Sequence, residues 1–406
     1  MKKRTLVISS AIWALVLVAI MSSTLTLVLT GSVGSADSRA ITDEEIQTLE
    51  RYQRLEEVRK QIVDNYYLEV DDDTLVQGAI DGMLASLDDP YTFYYTVDDM
   101  KDQQEASTGN YRGVGMSVQM NDEGTITVVR VFADSPAEAA GLYAGDKVTA
   151  IDGTPLDIQT AKDLSEAVDL IRGEVGTDVT LTILRGEDEK DYVVTRGDVK
   201  INYVEYQMLG DIGYVHIYEF EQSTASDFMK AEAYFKEQNA TGIVIDLRNN
   251  PGGLLDSVVK IADELLPEGR IIYTEDRAGN VSSYYSDADF WDIPLVVLVN
   301  GESASASEIL SASIQDYGRG TLVGTTTFGK GIVQLLMTFD DGAGMQYTEA
   351  RYYTPNGRYI HGVGVDPDVV VEMSEDYDVS VKTVDPDNDN QLATALEELN
   401  KLIEAE

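Results

Sequence analysis

The sequence predicts an α/β protein carrying a separate small β-rich domain, with a helical region and an apolar segment ahead of both. Three observations predict this. Strand and helix patterns alternate over residues 201–372, as a largely parallel sheet requires. Residues 106–200 read instead as short β-branched runs parted by Gly-rich turns, a stretch of about 90 residues and an ordinary domain size. Residues 5–36 contain no charged side chain and follow Lys2, Lys3 and Arg4.

Composition bounds the chemistry. The chain has 406 residues, with 30 Lys+Arg against 72 Asp+Glu and a formal net charge of −42. Two or three domains are expected at this length. The acidic balance argues against nucleic acid as a partner, because a phosphate backbone calls for clustered Lys and Arg. Cysteine is absent, which excludes disulfides, thiol nucleophiles and thiolate zinc sites. The only histidines are His216 and His361. They fit a His-rich metal centre poorly and limit any Ser-His-Asp triad to two bases. No cofactor is expected.

The apolar part of residues 1–36 exceeds the usual core of a signal peptide and is long enough to cross a bilayer as a helix. The basic residues ahead of it place that end in the cytoplasm. A single-pass signal-anchor with the rest of the chain outside the cell membrane is expected. Gly31, Ser32, Gly34, Ser35 and Ala36 offer a cleavage site that would give a secreted form instead. An exported chain without cysteine suits a cell that does not rely on external disulfides, as in many Gram-positive bacteria.

Residues 37–105 read as helical. Leu49, Tyr52, Leu55, Val58, Ile62 and Tyr66 recur at spacings of three and four, and Leu75, Ile80, Met83, Leu84 and Leu87 continue the pattern. Asp88, Asp89 and Pro90 stop it. The stripe suits either an arm packed on its own domain or a dimerisation element. In residues 106–200 the strand signals are TITVVRVF, KVTAIDG, DVTLTILRG and DYVVTRG, with one helix over Thr160–Arg172. In residues 201–372 they are IGYVHIYEF, GIVIDLR, PLVVLVN, GTLVG and VQLLMTF, with helices over 224–239, 254–266 and 305–317. Residues 373–406 read as a solvated acidic tail leading into a helix over 391–403.

Some motifs are set aside. Gly324, Gly329 and Lys330 fit G-x-x-x-x-G-K, but Gly331 stands where a magnesium-binding hydroxyl belongs, and a strand follows instead of a helix. Asp385, Asp387 and Asp389 alternate like calcium ligands without the Gly and closing Glu of such a loop. Nothing beside His216 or His361 marks a general base.

The pattern that carries chemistry begins at the apolar strand Leu295–Val299, which runs into NGESASASEIL. Strand, tight turn and helix form the geometry that presents a nucleophile. A serine there lies near the positive end of the helix dipole, and the N–H of Ala306 is free to face an oxyanion. The same residues also suit a plain helix cap, with Glu308 closing a capping box on Ser305. Lys330, between two glycines and beside apolar residues, is a candidate base if burial holds its amine neutral. In an extended segment Gln334 would share its face. The turn NNPGG after Ile243–Leu247 permits close backbone approach.

Taken in order, DLRNNPGGLL, SASASEI, TTFGKGIVQ and ARYYTPNGRYIHGVGVDPD resemble the carboxyl-terminal processing proteases, over residues 45–372. The resemblance implies a ClpP/crotonase-like α/β protease core with an inserted PDZ domain. It also implies Ser305 as nucleophile, Lys330 as general base, Gln334 as its support, and Ala306 with Gly253 as oxyanion donors. Where the family usually has GKGSVQ, this chain has GKGIVQ. Gly113, Val114, Gly115 and Met116, in YRGVGM, resemble the loop that cradles a peptide's terminal carboxylate, the peptide adding as a strand beside residues 115–120. Arg172 resembles an arginine that couples the two domains in some relatives. The partners expected are protein substrates with accessible C-termini, the membrane through the apolar segment, a second copy of the chain through the amphipathic N-terminal helices and the C-terminal helix, and an adaptor protein. The rival functions are a non-catalytic PDZ scaffold at the membrane and a carrier of apolar ligands on the same fold.

Overall fold

The computed structural model describes residues 43–121, 123–374 and 384–405. The expected membrane segment, residues 1–36, lies outside them. Among the described residues no helix is long and apolar enough to cross a membrane. The chain divides into two compact units after Ile80.

The first unit holds α1 (Asp43–Asn65) and most of α2 (Asp72–Ala85). Arg59 pairs with Glu56 on its own helix and with Asp72 at the start of the next. Tyr52, Leu55 and Val58 of the apolar stripe are exposed.

The second unit opens with β1 (Phe93–Tyr95) and α3 (Val97–Thr108). The inserted domain follows: β2 (Asn110–Gly113), β3 (Met116–Met120), β4 (Ile126–Val131), α4 (Pro136–Ala139), β5 (Lys147–Ile151), β6 (Thr154–Pro155), α5 (Ala161–Ile171), β7 (Asp178–Arg185), β8 (Asp188–Thr195) and β9 (Gly197–Lys200). An antiparallel sheet in the order β3-β4-β5-β7-β8 encloses its own core of Ile126, Val128, Val148, Leu181 and Ile183. The pair β2–β9 ties the entry strand to the exit strand. The helix expected over Thr160–Arg172 is α5. Its capping box is complete, with Thr160 and Asp163 each satisfying the other's backbone N–H.

The larger core comprises β10 (Val204–Leu209), β11 (Ile212–Ile217), α6 (Thr224–Gln238), β12 (Gly242–Asp246), α7 (Leu255–Leu265), β13 (Gly269–Asp276), β14 (Val281–Ser286), β15 (Leu295–Val299), α8 (Ala306–Asp316), β16 (Thr321–Gly324), β17 (Ile332–Thr338), β18 (Gly344–Tyr353), β19 (Val369–Val370) and α9 (Asn390–Ala405). Its main sheet runs β10-β11-β12-β15-β16-β19, parallel except at β10. Every residue of β12 and β15 is buried, which is why GIVID and LVVLV read as continuous apolar runs. Ile243, Ile245, Val297 and Val299 pack with α6, α7 and α8 on one face. Val244, Val296 and Leu298 pack with Leu392, Ala395 and Leu399 of α9 on the other. A second sheet, β1-β18-β13-β14 with β17 on β18, stands beside it.

Three expectations need correction. The region read as wholly helical contains β1, a short strand recruited by β18. The hairpin β13–β14 and the strand β18 have no counterpart among the expected strands. They are largely half-exposed, so their sequences lack a strong apolar run. The helix expected over 391–403 is present as α9 and covers one face of the main sheet, but the DPDNDN stretch ahead of it is not solvated throughout. Asp389 and Gln391 at the start of α9 are each 1% exposed.

Those two residues meet a buried arginine. Arg248 is 1% exposed and donates to both oxygens of Asp246, to Asp389 at 3.0 and 2.8 Å, and to Gln391 at 3.2 Å. Tyr214 donates to Asp246 at 2.7 Å. Burial alone would raise the Asp246 carboxyl; Arg248, His216 and these hydrogen bonds outweigh it and hold it at about 2. Arg248→Ala should cost about 3–5 kcal/mol by leaving two carboxylates buried without their cation, read as a lower urea midpoint. The Asp246 contribution is present above the unfolded value of 3.8 and should fade as pH falls from there towards about 2, read by acid denaturation.

Candidate active site

Three turns meet at the C-terminal end of the main sheet. The first follows β15. Ser303 fixes it, its hydroxyl donating to Leu247 O at 2.8 Å and accepting from Asn300 N–H at 2.9 Å. Ser305 then takes φ +53° and ψ −112° just ahead of α8, a backbone that a non-glycine residue adopts only under constraint. This matches the strand–turn–helix expectation.

The second turn, Asn249–Gly253, follows β12. Asn250 O accepts from Ala304 N–H at 3.0 Å and from the Ser307 hydroxyl at 3.0 Å. A Cβ on Gly252 would lie 2.7 Å from Ser305 Cβ and 2.9 Å from Ala306 N, so only glycine permits this approach. The Gly252 N–H is spent on the Asn250 side chain at 2.8 Å. The N–H groups of Gly253 and Ala306 have no acceptor among the described residues. Gly253, not Gly252, is therefore the available donor of the pair.

The third turn, Thr325–Gly331, leads into β17. Its link to the first is the Glu308 carboxylate, 0% exposed. One oxygen accepts from the Thr327 hydroxyl at 2.6 Å and Gly329 N–H at 2.7 Å. The other accepts from Ser305 N–H at 2.9 Å and Lys330 N–H at 2.7 Å. The capping role read for Glu308 is thus real, and it doubles as the tie between the serine and lysine backbones. Tyr352, buried, adds a hydrogen bond from its hydroxyl to Ser305 O at 3.2 Å.

Burial lowers the Lys330 pKa below the ordinary lysine value, with Glu308 and Asp89 pulling back the other way. Its Nζ rests 4.7 Å from the centroid of Tyr91, and among the described residues it makes no hydrogen bond, to Ser305 or to any other group. Lys330 lies ahead of β17, which starts at Ile332, so the shared-face argument does not position it relative to Gln334. The Gln334 Nε2 is buried without a hydrogen-bond partner. The structure brings the backbones of Ser305, Ala306 and Lys330 together and sets Gly252–Gly253 against them, while the side-chain contacts Ser305–Lys330 and Lys330–Gln334 are not made.

Sequence reasoning passed over Asp89 and Tyr91. Asp89 accepts from Tyr91 N–H at 2.9 Å and from the hydroxyls of Thr92 and Thr348 at 2.7 Å each. That pins the Tyr91 turn to β18. The DDPYT run does carry a turn signal, but a helix stop looks the same. His361 is also not a remote surface group: a Cβ on Gly331 would lie 2.6 Å from its backbone nitrogen, and its Nδ1 is buried without a partner. His216 is far from these turns in role, stacked on Tyr218 at 4.0 Å, its pKa lowered by burial.

In the inserted domain a groove of about 200 Å³ is lined by Tyr111, Val114, Met116, Val118, Ile171 and Arg172, among others. Arg172 pairs with Asp102 of α3 at 3.1 Å and lies over the Tyr111 ring at 6.0 Å. Among the described residues, then, its ion-pair partner comes from the segment ahead of the domain and its aromatic partner from the domain itself, not from the larger core. Gly115 has φ +91°, and a Cβ there would strike Ser135 at 2.2 Å. Burial pushes the Tyr111 phenol up to about 12, with the backbone of Gly115 and Met116 and the charge of Arg172 pulling the other way.

A strained serine with a glycine turn packed on it and a partly desolvated lysine, on an α/β core with an inserted β-domain, define a PDZ-bearing serine peptidase. Comparison with known proteins agrees. Residues 211–371 match Peptidase family S41, residues 127–185 match the PDZ domain, and residues 19–99 match the Activating protease CtpB N-terminal domain. The carboxy-terminal-processing protease of Bartonella bacilliformis is 39% identical over 342 residues, 82% of this chain and 77% of that one. A Staphylococcus epidermidis protein described as a "Probable CtpA-like serine protease" is 37% identical over 339 residues, 82% of this chain and 68% of that one. The photosystem II D1 C-terminal processing protease superposes with a TM-score of 0.52 at 30% identity, covering 82% of this chain and 94% of that one. The chain belongs to the carboxy-terminal-processing protease family and is a serine-type peptidase.

Glu308→Gln should test the tie. An amide offers one acceptor oxygen and turns its NH2 on two of the four donors, so each unsatisfied group costs about 1–3 kcal/mol. A lower melting temperature and a fall in peptidase activity of at least about tenfold are expected, measured on the purified protein.

Proposed function

We propose that this chain is an endopeptidase that cleaves proteins recognised near their C-terminus, with Ser305 as nucleophile, Lys330 as general base and Gln334 as the support of that base. The observation that carries the proposal is the Glu308 carboxylate, which binds the backbones of Ser305 and Lys330 together while the N–H groups of Ala306 and Gly253 stay unspent. Lys330 swings from the Tyr91 ring to the Ser305 hydroxyl on its flexible stem. It takes the serine proton as the oxygen attacks the scissile carbonyl. Ala306 and Gly253 donate to the oxyanion. The protonated amine then gives its proton to the leaving nitrogen, and later takes one from the water that opens the acyl-enzyme. The orphan amide of Gln334 would orient the amine through its oxygen. The cradle Gly113–Met116 would hold the substrate's terminal carboxylate.

Residues 1–36 support an extracytoplasmic enzyme held by a membrane anchor, by their length and the charge ahead of them. The exposed stripe of α1 supports a homodimer. The C-terminal helix does not, since it spends its apolar face on the main sheet. A partner or adaptor protein that loads substrate is compatible with the inserted domain. The scaffold alternative has no use for a partly desolvated amine on a turn tied to that of a strained serine.

Ser305→Ala and Lys330→Ala should each reduce cleavage of an unfolded protein substrate by at least about 10³-fold and leave the melting temperature within a few degrees, by gel assay and calorimetry. Normal cutting by both variants would end the proposal. Because the free amine is the working form, kcat/KM should rise with pH through the lowered Lys330 pKa and be lost on the acid side. Lys330→Arg should stay inactive across the whole range, since a guanidinium keeps its proton.

A further inference from the structure

We propose that Glu219 and Glu221 form a subsite that takes a cationic side chain of the peptide substrate, Lys or Arg, beside the scissile bond; this rests on the peptidase reading above. After β11 the chain runs on to Phe220, whose N–H donates to Gly252 O at 2.7 Å and whose carbonyl accepts from Leu254 N–H at 2.6 Å. Gly252 is the residue packed on Ser305. The segment bearing the two glutamates therefore lies one backbone hydrogen bond from the turn that touches the nucleophile. Phe220 is 0% exposed and belongs to the apolar core. In an extended segment its neighbours face the opposite way, so Glu219 and Glu221 share the face away from that core.

The two carboxylates have no cation. Glu221 is 7% exposed and its Oε2 has no hydrogen-bond partner. Among the described residues neither glutamate makes an ion pair. Glu219 lines a cavity of about 1010 Å³ whose wall also includes Tyr203 and Asn249, the latter on the glycine turn. Burial and then both carboxylates push the Tyr203 phenol up, so the two charges act on the same wall. The two arginines that line this cavity are committed elsewhere. Arg130 pairs with Glu205 at 2.7 Å, and Arg248 with Asp246 and Asp389.

Such a pair is costly to keep charged. Burial, with the Glu219 charge, raises Glu221 to about 7, and burial raises Glu219 as well, so an incoming cation replaces the stabilisation that the pair lacks. An ammonium or a guanidinium arriving in the cavity meets the Glu219 carboxylate on its wall, the guanidinium with a forked pair of hydrogen bonds, and relieves the charge that Glu219 imposes on Glu221 behind it. A neutral side chain leaves them repelling each other. An acidic one adds a third like charge.

The test uses the full chain carrying Ser305→Ala and peptides of about ten residues, identical except for Lys, Arg, norleucine or Glu scanned through the central positions. Calorimetry should show a preference of at least about tenfold for Lys and Arg over norleucine at one position, and that preference should disappear when Glu219→Gln and Glu221→Gln are added. Equal binding of all peptides, or a preference that survives both glutamine substitutions, would overturn the subsite. The same peptides given to the unsubstituted chain separate the two claims. A cationic preference in binding with no peptide cut would sink the hydrolytic assignment and leave the subsite standing, whereas cutting without any preference would do the reverse.

Discussion

A single buried carboxylate organises the catalytic end of this molecule. Glu308 receives hydrogen bonds from Ser305, Thr327, Gly329 and Lys330. The donors come from two turns separated by the whole of α8 and β16. An anion inside protein is tolerated only with partners of this quality, so the four bonds stand or fall together. The strained backbone of Ser305 is maintained from the same place, because its N–H is fixed by Glu308 and its carbonyl by Tyr352. The lysine's backbone is positioned firmly, while its amine rests on the Tyr91 ring.

The main sheet supplies the platform. Strands buried on both faces place their C-terminal ends in one row, and two of the three active turns leave from β12 and β15. That row is the usual place for a site on a parallel sheet. The C-terminal helix completes the platform from behind, with Arg248 joining the strand end at Asp246 to Asp389 at the helix start. One residue further along the chain, the Asn249–Gly253 turn begins. Structural charge and candidate chemistry thus lie on consecutive residues of one strand–turn segment.

Much of this was legible in the sequence. Apolar runs such as GIVID and LVVLV give away strands that are buried on both faces, and SASASEI after such a run marks the turn of Ser305. Lys330 stood out as a candidate base because neither histidine was marked as one, and burial lowers its pKa. Gly253 was distinguishable from Gly252 only in three dimensions, through the hydrogen bond that consumes the Gly252 N–H. The half-exposed strands β13, β14 and β18 carried too little periodicity to see. Asp389 was hidden for a different reason: in a run as acidic as DPDNDN, nothing in the sequence distinguishes the one aspartate that is buried against an arginine. Tyr91 was missed because its contact with Lys330 spans more than two hundred residues.

The ring of Tyr111 lies so close to Gly113 that a Cβ there would sit 2.9 Å from it. On the proposed reading of Gly113–Met116 as a carboxylate cradle, that aromatic edge borders whatever terminus enters. A missing side chain at one loop position thus sets the bore of the proposed recognition groove, and a bulkier residue there would narrow it.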